Sequence, residues 1–245
     1  MIELLQQYWQ QYLWGSPGHW SGLVVTLWLT VASVVLGFAL ALPLAIMRVS
    51  TRPWLAAPVW LFTYVFRGTP LYVQLLICYT GLYSLEAVRA TPMLNAFFKD
   101  AFNCTLLAFT LNTAAYTTEI FAGAIKATPR GEVEAARAFG MSGFILYRRI
   151  LLPSALRRAL PAYSNEVILM LHATTLASTA TITDLLKVAR NAASDYYLPF
   201  VAYGLAALLY LAITLGLVWA FQRAERKWLA HLRPVRSDAG APRSV

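Results

Sequence analysis

The sequence predicts an all-α integral membrane protein: five transmembrane helices, with one polar helix on the inner side. Three observations carry this. First, the 245 residues are 59% hydrophobic and only 13% charged, too apolar for an ordinary soluble globule. Second, five stretches (20–47, 53–85, 101–125, 159–183 and 196–222) are long enough to cross a bilayer core, which takes about 20 apolar residues. Third, the cations are lopsided. With the first span starting outside, the inner segments hold 15 Lys and Arg residues and the outer ones four: Arg89, Lys99, Lys187 and Arg190. An excess of that kind marks the cytoplasmic side, so the N-terminus lies outside and the C-terminus inside. The net charge of +9 is therefore a topology signal and not a nucleic-acid-binding surface.

Three parts follow: a lead-in over 1–19, a membrane domain over 20–232 containing a polar loop at 131–153, and a flexible basic tail over 233–245. The lead-in carries Tyr8, Trp9, Tyr12 and Trp14 and a Gly-Ser-Pro-Gly break at 15–18. Such aromatics favour the headgroup layer, so it reads as an interfacial segment and not a folded unit. It lacks a basic start, and the first span is too long for a signal core, so no cleavable signal peptide is expected. In the first span Gly37 and Pro43 bend the helix or admit a neighbour closely.

The second span contains Arg67-Gly68-Thr69-Pro70. At about 1.5 Å per residue from Trp54, Arg67 lies roughly 20 Å along, near mid-membrane. Gly and Pro beside it predict a break, allowed only where protein or a cavity supplies partners for the freed backbone. A buried arginine must be paired or wet. Two readings stand at this point: an ion pair with Glu119 or Glu166, or a site for a substrate carboxylate.

The third span places Thr105, Asn112, Tyr116 and Glu119 on one helical face, which should face the bundle interior as a hydrogen-bond seam or a polar path. In the fourth span Glu166 lies about 12 Å from the inner end, close to the level of Glu119 at about 9 Å. Asn165 and His172 share another face, and the bland reading of a lone helical His is a satisfied packing residue. Residues 86–100 and 184–195 read as outer loops of balanced charge. Cys78 and Cys104, the only cysteines, are expected to pack as free thiols.

The polar loop has a fixed spacing: Glu134, Ala135, Ala136, then Gly140, then Ile150, Leu152 and Pro153. Residues 131–139 form a short helix, Gly140 suits the left-handed residue that stops it, and Pro153 opens the next span. Two small adjacent residues let another protein approach closely. The chain has no G-x-x-x-x-G-K-[ST] loop and no Cys/His cluster for a metal, so it cannot hydrolyse ATP itself and is not expected to be an enzyme. Energy for uphill transport has to arrive through a partner.

The 134–153 pattern resembles the cytoplasmic coupling loop of ABC importer permeases. The likeness extends over essentially the whole chain. Residues 67–74 (RGTPLYVQ), 115–123 (AYTTEIFAG) and Pro161 with Asn165 and Glu166 are similar to the polar amino acid permeases, within that group especially to the M-type subunits of histidine and lysine/arginine/ornithine importers. His172 stands where relatives often carry Lys. The resemblance implies the type I importer fold in a bacterial inner membrane. It implies as partners a homologous second permease subunit, an ATPase dimer that holds the ATP and Mg, and a periplasmic amino-acid-binding protein, with no cofactor on this chain. It implies that Glu134 and Arg137 make polar contacts with the ATPase, Ala135 and Ala136 the close fit, and Gly140 the bend. The implied cargo is basic amino acids, the alternatives being another polar amino acid or an opine and, more remotely, a self-sufficient secondary carrier. For the substrate path the choice falls on Glu119 first, with Asn112, Tyr116, Glu166 and Arg67 behind it, because a cationic cargo needs a counter-charge.

Overall fold

The computed structural model describes residues 2–15 and 20–228. The tail 233–245 and the Ser-Pro-Gly of the 15–18 break lie outside the described residues. Within them the secondary structure is helical throughout: α1 (Ile2–Trp9), α2 (Gly22–Arg48), α3 (Pro53–Gly68), α4 (Leu71–Leu76), α5 (Leu82–Ser84), α6 (Glu86–Ala90), α7 (Pro92–Lys99), α8 (Ala101–Lys126), α9 (Arg130–Ala138), α10 (Gly143–Leu146), α11 (Leu152–Ala173), α12 (Leu185–Tyr196) and α13 (Pro199–Trp228).

Local chemistry sets most boundaries. The Ser21 hydroxyl accepts the Val24 N–H at 3.1 Å and starts α2, an N-cap satisfying one of the helix's free donors. Asp100 does the same for α8 through the Phe102 N–H at 2.8 Å. Pro53 and Pro199, which lack an N–H, each stand at a helix start. Among the described residues, α2 and α13 alone are long and apolar enough to cross a membrane on their own. α3 with the segment from Leu71 to Ser84 forms a pair bent by 103° that counts as a third if it is one span. α8 and α11 have the length, 26 and 22 residues, but carry more polar residues because they run through the middle of the bundle.

Five features differ from the sequence expectation. Residues 86–100, expected to be an outer loop, are mostly the short helices α6 and α7. The fourth segment begins at Leu152, not residue 159, and tightens into a 3-10 helix at Thr174–Ala180. The fifth begins at Pro199, because Tyr197 turns left-handed at φ 53° and separates α12 from α13. Residues 184–195, expected to be a loop, are mostly α12, capped by Asp184 and burying Leu185, Val188, Ala189 and Ala192 at helical spacing. The lead-in is also folded. Tyr8 and Tyr12 are buried against α12 and α13, and the Tyr12 hydroxyl donates to the Ala202 carbonyl at 3.0 Å.

The centre of the bundle is the contact of α2 with α8. Ser33, Gly37, Ala41 and Ala45, four residues apart, form a buried small-residue seam on α2 that lets the two backbones approach closely. A Cβ at Gly37 would stand 2.3 Å from Thr113 Cγ2 and 3.3 Å from the Ala114 nitrogen. Gly37→Val is therefore expected to destabilise the bundle by about 1–3 kcal/mol, the usual cost of overpacking. The measurement is a thermal melt of the purified complex in detergent, where the midpoint should fall by several degrees.

Candidate functional site

Two regions hold the residues singled out above: the α9 loop and the polar face of α8.

In the loop, α9 spans Arg130–Ala138, within a residue of expectation. It closes as foreseen at Gly140, whose φ is +78°. The Gly140 N–H donates to the Arg137 carbonyl at 2.9 Å and the Met141 N–H to the Ala136 carbonyl at 3.0 Å. These are the two reversed bonds of a Schellman closure, which needs a left-handed residue between them. A Cβ at Gly140 would meet nothing within 4 Å, so a side chain there costs backbone strain alone.

The alanine pair does not form one outward stripe. Ala135 is exposed, whereas Ala136 is buried against Leu146 and Leu151, because neighbouring helical residues point about 100° apart. Glu134 and Arg137 are exposed. Beside them stand two large apolar side chains that the spacing pattern passed over: Phe139, 84% exposed, and Phe144, 76% exposed. Ile150 packs on the Ala136 cluster and Leu152 on the cluster around Ala155. Pro153 stands in the first turn of α11, as expected, but that helix has no free start. Residues 143–173 run as one helical stretch, and Pro153 follows a π turn at Tyr147–Leu151 in which the Leu152 N–H reaches back to the Tyr147 carbonyl. The wider turn makes room for the proline ring and its missing donor. Glu132 ties α9 to α11, accepting from Arg158 at 3.1 Å.

On α8, Asn112 and Tyr116 face the α3–α4 corner. The freed carbonyls of that corner are met as the break required. Gln74 Nε2 donates to the Phe66 carbonyl at 2.7 Å, the Thr69 carbonyl at 3.0 Å and the Thr69 hydroxyl at 2.8 Å. Asn112 Nδ2 donates to the Phe66 carbonyl at 3.2 Å and to Gln74 Oε1 at 3.1 Å. Gln74→Leu keeps the volume but strips these bonds, each unmet group costing about 1–3 kcal/mol. The expected result is a protein that reaches the membrane in reduced amount and melts earlier, read by fluorescence-detected size exclusion after heating.

The ion pairing differs from expectation. Arg67 is exposed, with its guanidinium carbon 5.3 Å from the centre of the Tyr116 ring, and pairs with neither glutamate. Glu119 is claimed instead by Arg48, whose Nε lies 2.7 Å from Oε1, and by the Thr63 hydroxyl at 2.7 Å. These residues and Arg67 line an open cavity of about 300 Å³. Glu166 is buried and accepts from the Thr113 hydroxyl at 3.0 Å. No basic group lies within ion-pairing distance of it among the described residues. With Asn112, Tyr116, Leu169, Met170 and Ala173 it lines a second cavity of about 200 Å³. Tyr116 joins the two, stacking under Arg67 on one side and lining the Glu166 cavity on the other. Arg48, Thr63 and Gln74 were missed as site residues. A glutamine in an apolar run was the one visible signal, whereas the Arg48 partnership joins residues 71 apart in the chain and leaves no periodic trace.

His172 Nε2 is 3.2 Å from the Thr214 hydroxyl, a packing contact between α11 and α13. Cys78 and Cys104 are free and buried. Among the described residues no cluster of three or more His, Cys, Asp or Glu is placed to hold a metal.

Comparison with known proteins places this arrangement. The family model described as "Binding-protein-dependent transport system inner membrane component" matches residues 33–228. The histidine/lysine/arginine/ornithine transport system permease protein HisM of Salmonella typhimurium is 60% identical over 232 residues, covering 95% of this chain and 99% of that one. The octopine transport system permease protein OccM of Rhizobium meliloti is 44% identical over 193 residues, 79% of this chain and 78% of that protein. A crystal structure of an amino acid ABC transporter with histidines superposes with a TM-score of 0.78 at 31% identity, covering 93% of this chain and 98% of that chain.

Proposed function

Because the chain belongs to the binding-protein-dependent transport system inner membrane components, and is thus a non-enzymatic permease subunit with the all-helical type I importer fold, we propose that it carries basic amino acids across the bacterial inner membrane. Histidine, arginine, lysine and ornithine are the proposed cargo. The observation that carries this is the match to HisM, 60% identical over nearly the full length of both chains.

In this reading five segments cross the membrane with the N-terminus periplasmic and the C-terminus cytoplasmic. A homologous permease subunit is the partner within the bilayer, an ATPase dimer docks below, and a periplasmic binding protein delivers cargo above. The α9 helix is the coupling element. Ala135 admits the ATPase surface closely, Phe139 and Phe144 supply apolar anchors, and Glu134 and Arg137 add polar contacts. Exposed aromatics of this kind are the usual carriers of interface energy. Glu132 with Arg158, and Ile150 with the Ala136 cluster, transmit the push into α11. Binding of ATP on the partner biases the bundle between inward- and outward-open states, a two-state shift driven by ligands at both ends.

The substrate path runs along α8, past Asn112, Tyr116, Glu119, Glu166 and Arg67. Glu166 takes the leading place held above by Glu119. Its carboxylate has no basic partner among the described residues and lines a cavity, so its charge is available to a cation, whereas the charge of Glu119 is already matched by Arg48. Arg67, which has no carboxylate partner among the described residues and lies beside Tyr116, meets the carboxylate of the same amino acid in this reading.

The test is reconstitution of the purified four-component system in liposomes. Uptake of labelled histidine or arginine is expected only with binding protein outside and ATP inside. Uptake with the ATPase left out would overturn the reading, as would a cysteine at position 144 that labels only from the periplasmic side.

A further inference from the structure

Between α9 and the start of α11 lies a cavity to which the reading above assigns no ligand. It measures about 320 Å³ and is lined by Arg149, Arg157 and Arg158 with Ile150 and Pro153. The three arginines lie on the single helical stretch 143–173 and border the same hollow. Their only acidic neighbour in the lining is Glu132, which is already engaged by Arg158. Arg158 also donates to the Ser154 hydroxyl at 3.2 Å. Arg149 and Arg157 are exposed and have no carboxylate partner among the described residues. Two guanidinium forks without a counter-ion, turned to one polar hollow with a hydroxyl in its wall, form a receptor for a tetrahedral oxyanion, since each fork matches two oxygens of a phosphate at once.

We propose that this cavity binds a phosphate group, supplied by the headgroup of an anionic phospholipid. The lipid source follows from position. The cavity opens at the foot of α11, the inner end of a membrane segment in the reading above, and such basic hollows lie at the level of anionic headgroups. Ile150 and Pro153 give the glycerol end an apolar wall. Binding also has a mechanical consequence. A phosphate that recruits Arg158 competes with Glu132 for it, and that pair ties α9 to α11. Occupancy of the cavity therefore adjusts how firmly the coupling helix is held, and with it how ATP hydrolysis is matched to transport.

The proposal is tested on the whole importer complex in detergent, comparing wild type with the Arg149→Gln/Arg157→Gln double variant. Both side chains are exposed, so the double variant should melt as wild type does in the absence of lipid. The probes are dioctanoyl-phosphatidylglycerol, the zwitterionic dioctanoyl-phosphatidylcholine and inorganic phosphate, read by native mass spectrometry and by thermal stabilisation. Phosphatidylglycerol is expected to bind the wild type and to bind the double variant about 25-fold more weakly, as about 1 kcal/mol per basic residue implies. Arg149→Lys/Arg157→Lys, which keeps the charge but not the forks, should lie between them. Equal retention of phosphatidylglycerol by wild type and double variant overturns the proposal. So does loss of the ATPase from the variant with lipid retention unchanged, which would assign the arginines to that partner. Stabilisation by inorganic phosphate at the same concentrations, abolished in the variant, keeps the phosphate site and overturns the lipid source. The lipid source rests on the inward placement of the loop, but binding in detergent does not depend on it. A failed binding test thus leaves that placement standing, and the label at position 144 decides it separately.

Discussion

Glu166→Gln is expected to reduce uptake of histidine, arginine and lysine by about 100-fold or more while the complex still assembles. Glu166 is 7% exposed and lines a cavity, and among the described residues the Thr113 hydroxyl is its one side-chain hydrogen-bond partner. Leaving a buried cation without its counter-charge costs about 3–5 kcal/mol, and each 1.4 kcal/mol is a factor of ten in rate. Glutamine keeps the volume and can still accept from Thr113, so packing is unchanged and the missing charge is the whole difference. Initial uptake rates in proteoliposomes check this, alongside basal ATPase activity, which should persist. Glu119→Gln serves as the contrast. It leaves Arg48 without its partner and should cost stability as well as rate. Wild-type uptake in the Glu166 variant, with a severe loss in the Glu119 variant, would return the leading place to Glu119.

Phe139→Ser/Phe144→Ser is expected to release the ATPase from the permease. At 84% and 76% exposed, the two rings contribute almost nothing to folding, so the melting temperature of the isolated permease should not move. As interface anchors they are worth about 2 kcal/mol or more each, and together their loss weakens docking by about three orders of magnitude. Co-purification through a tag on the permease reads the outcome directly. A variant that still brings down the ATPase in equal yield, with normal coupled hydrolysis, would remove both rings from the docking surface. Gly140→Asp should act less completely, since the side chain has open space and the penalty is the left-handed backbone, about 1–2 kcal/mol.

What could be read from residues alone was whatever has a local cause. The close of α9 at Gly140, the caps at Ser21 and Asp100 and the break at Gly68–Pro70 each follow from one or two side chains and the backbone beside them. The inward-facing stripe of Asn112, Tyr116 and Glu119 follows from helical period. Harder to see was anything decided between segments. Arg48 lies next to the inner turn and looked like a topology marker, yet it reaches Glu119 on another helix. Ala136 looked like a twin of Ala135 until the 143–151 stretch folded over it. Residues 184–195 were passed over because their charges balance, although Leu185, Val188, Ala189 and Ala192 already traced a helix face.

Thr113 has two duties: its methyl group fills the notch above Gly37, and its hydroxyl steadies Glu166. The residue that seals the α2–α8 seam thereby also holds the carboxylate proposed to face the cargo, and neither duty can be altered alone. On the proposed path, retuning of which amino acid is carried is expected to be easier at Leu169 and Ala173, which line the same cavity as Glu166 and where a bulkier or smaller side chain leaves the α2–α8 seam untouched.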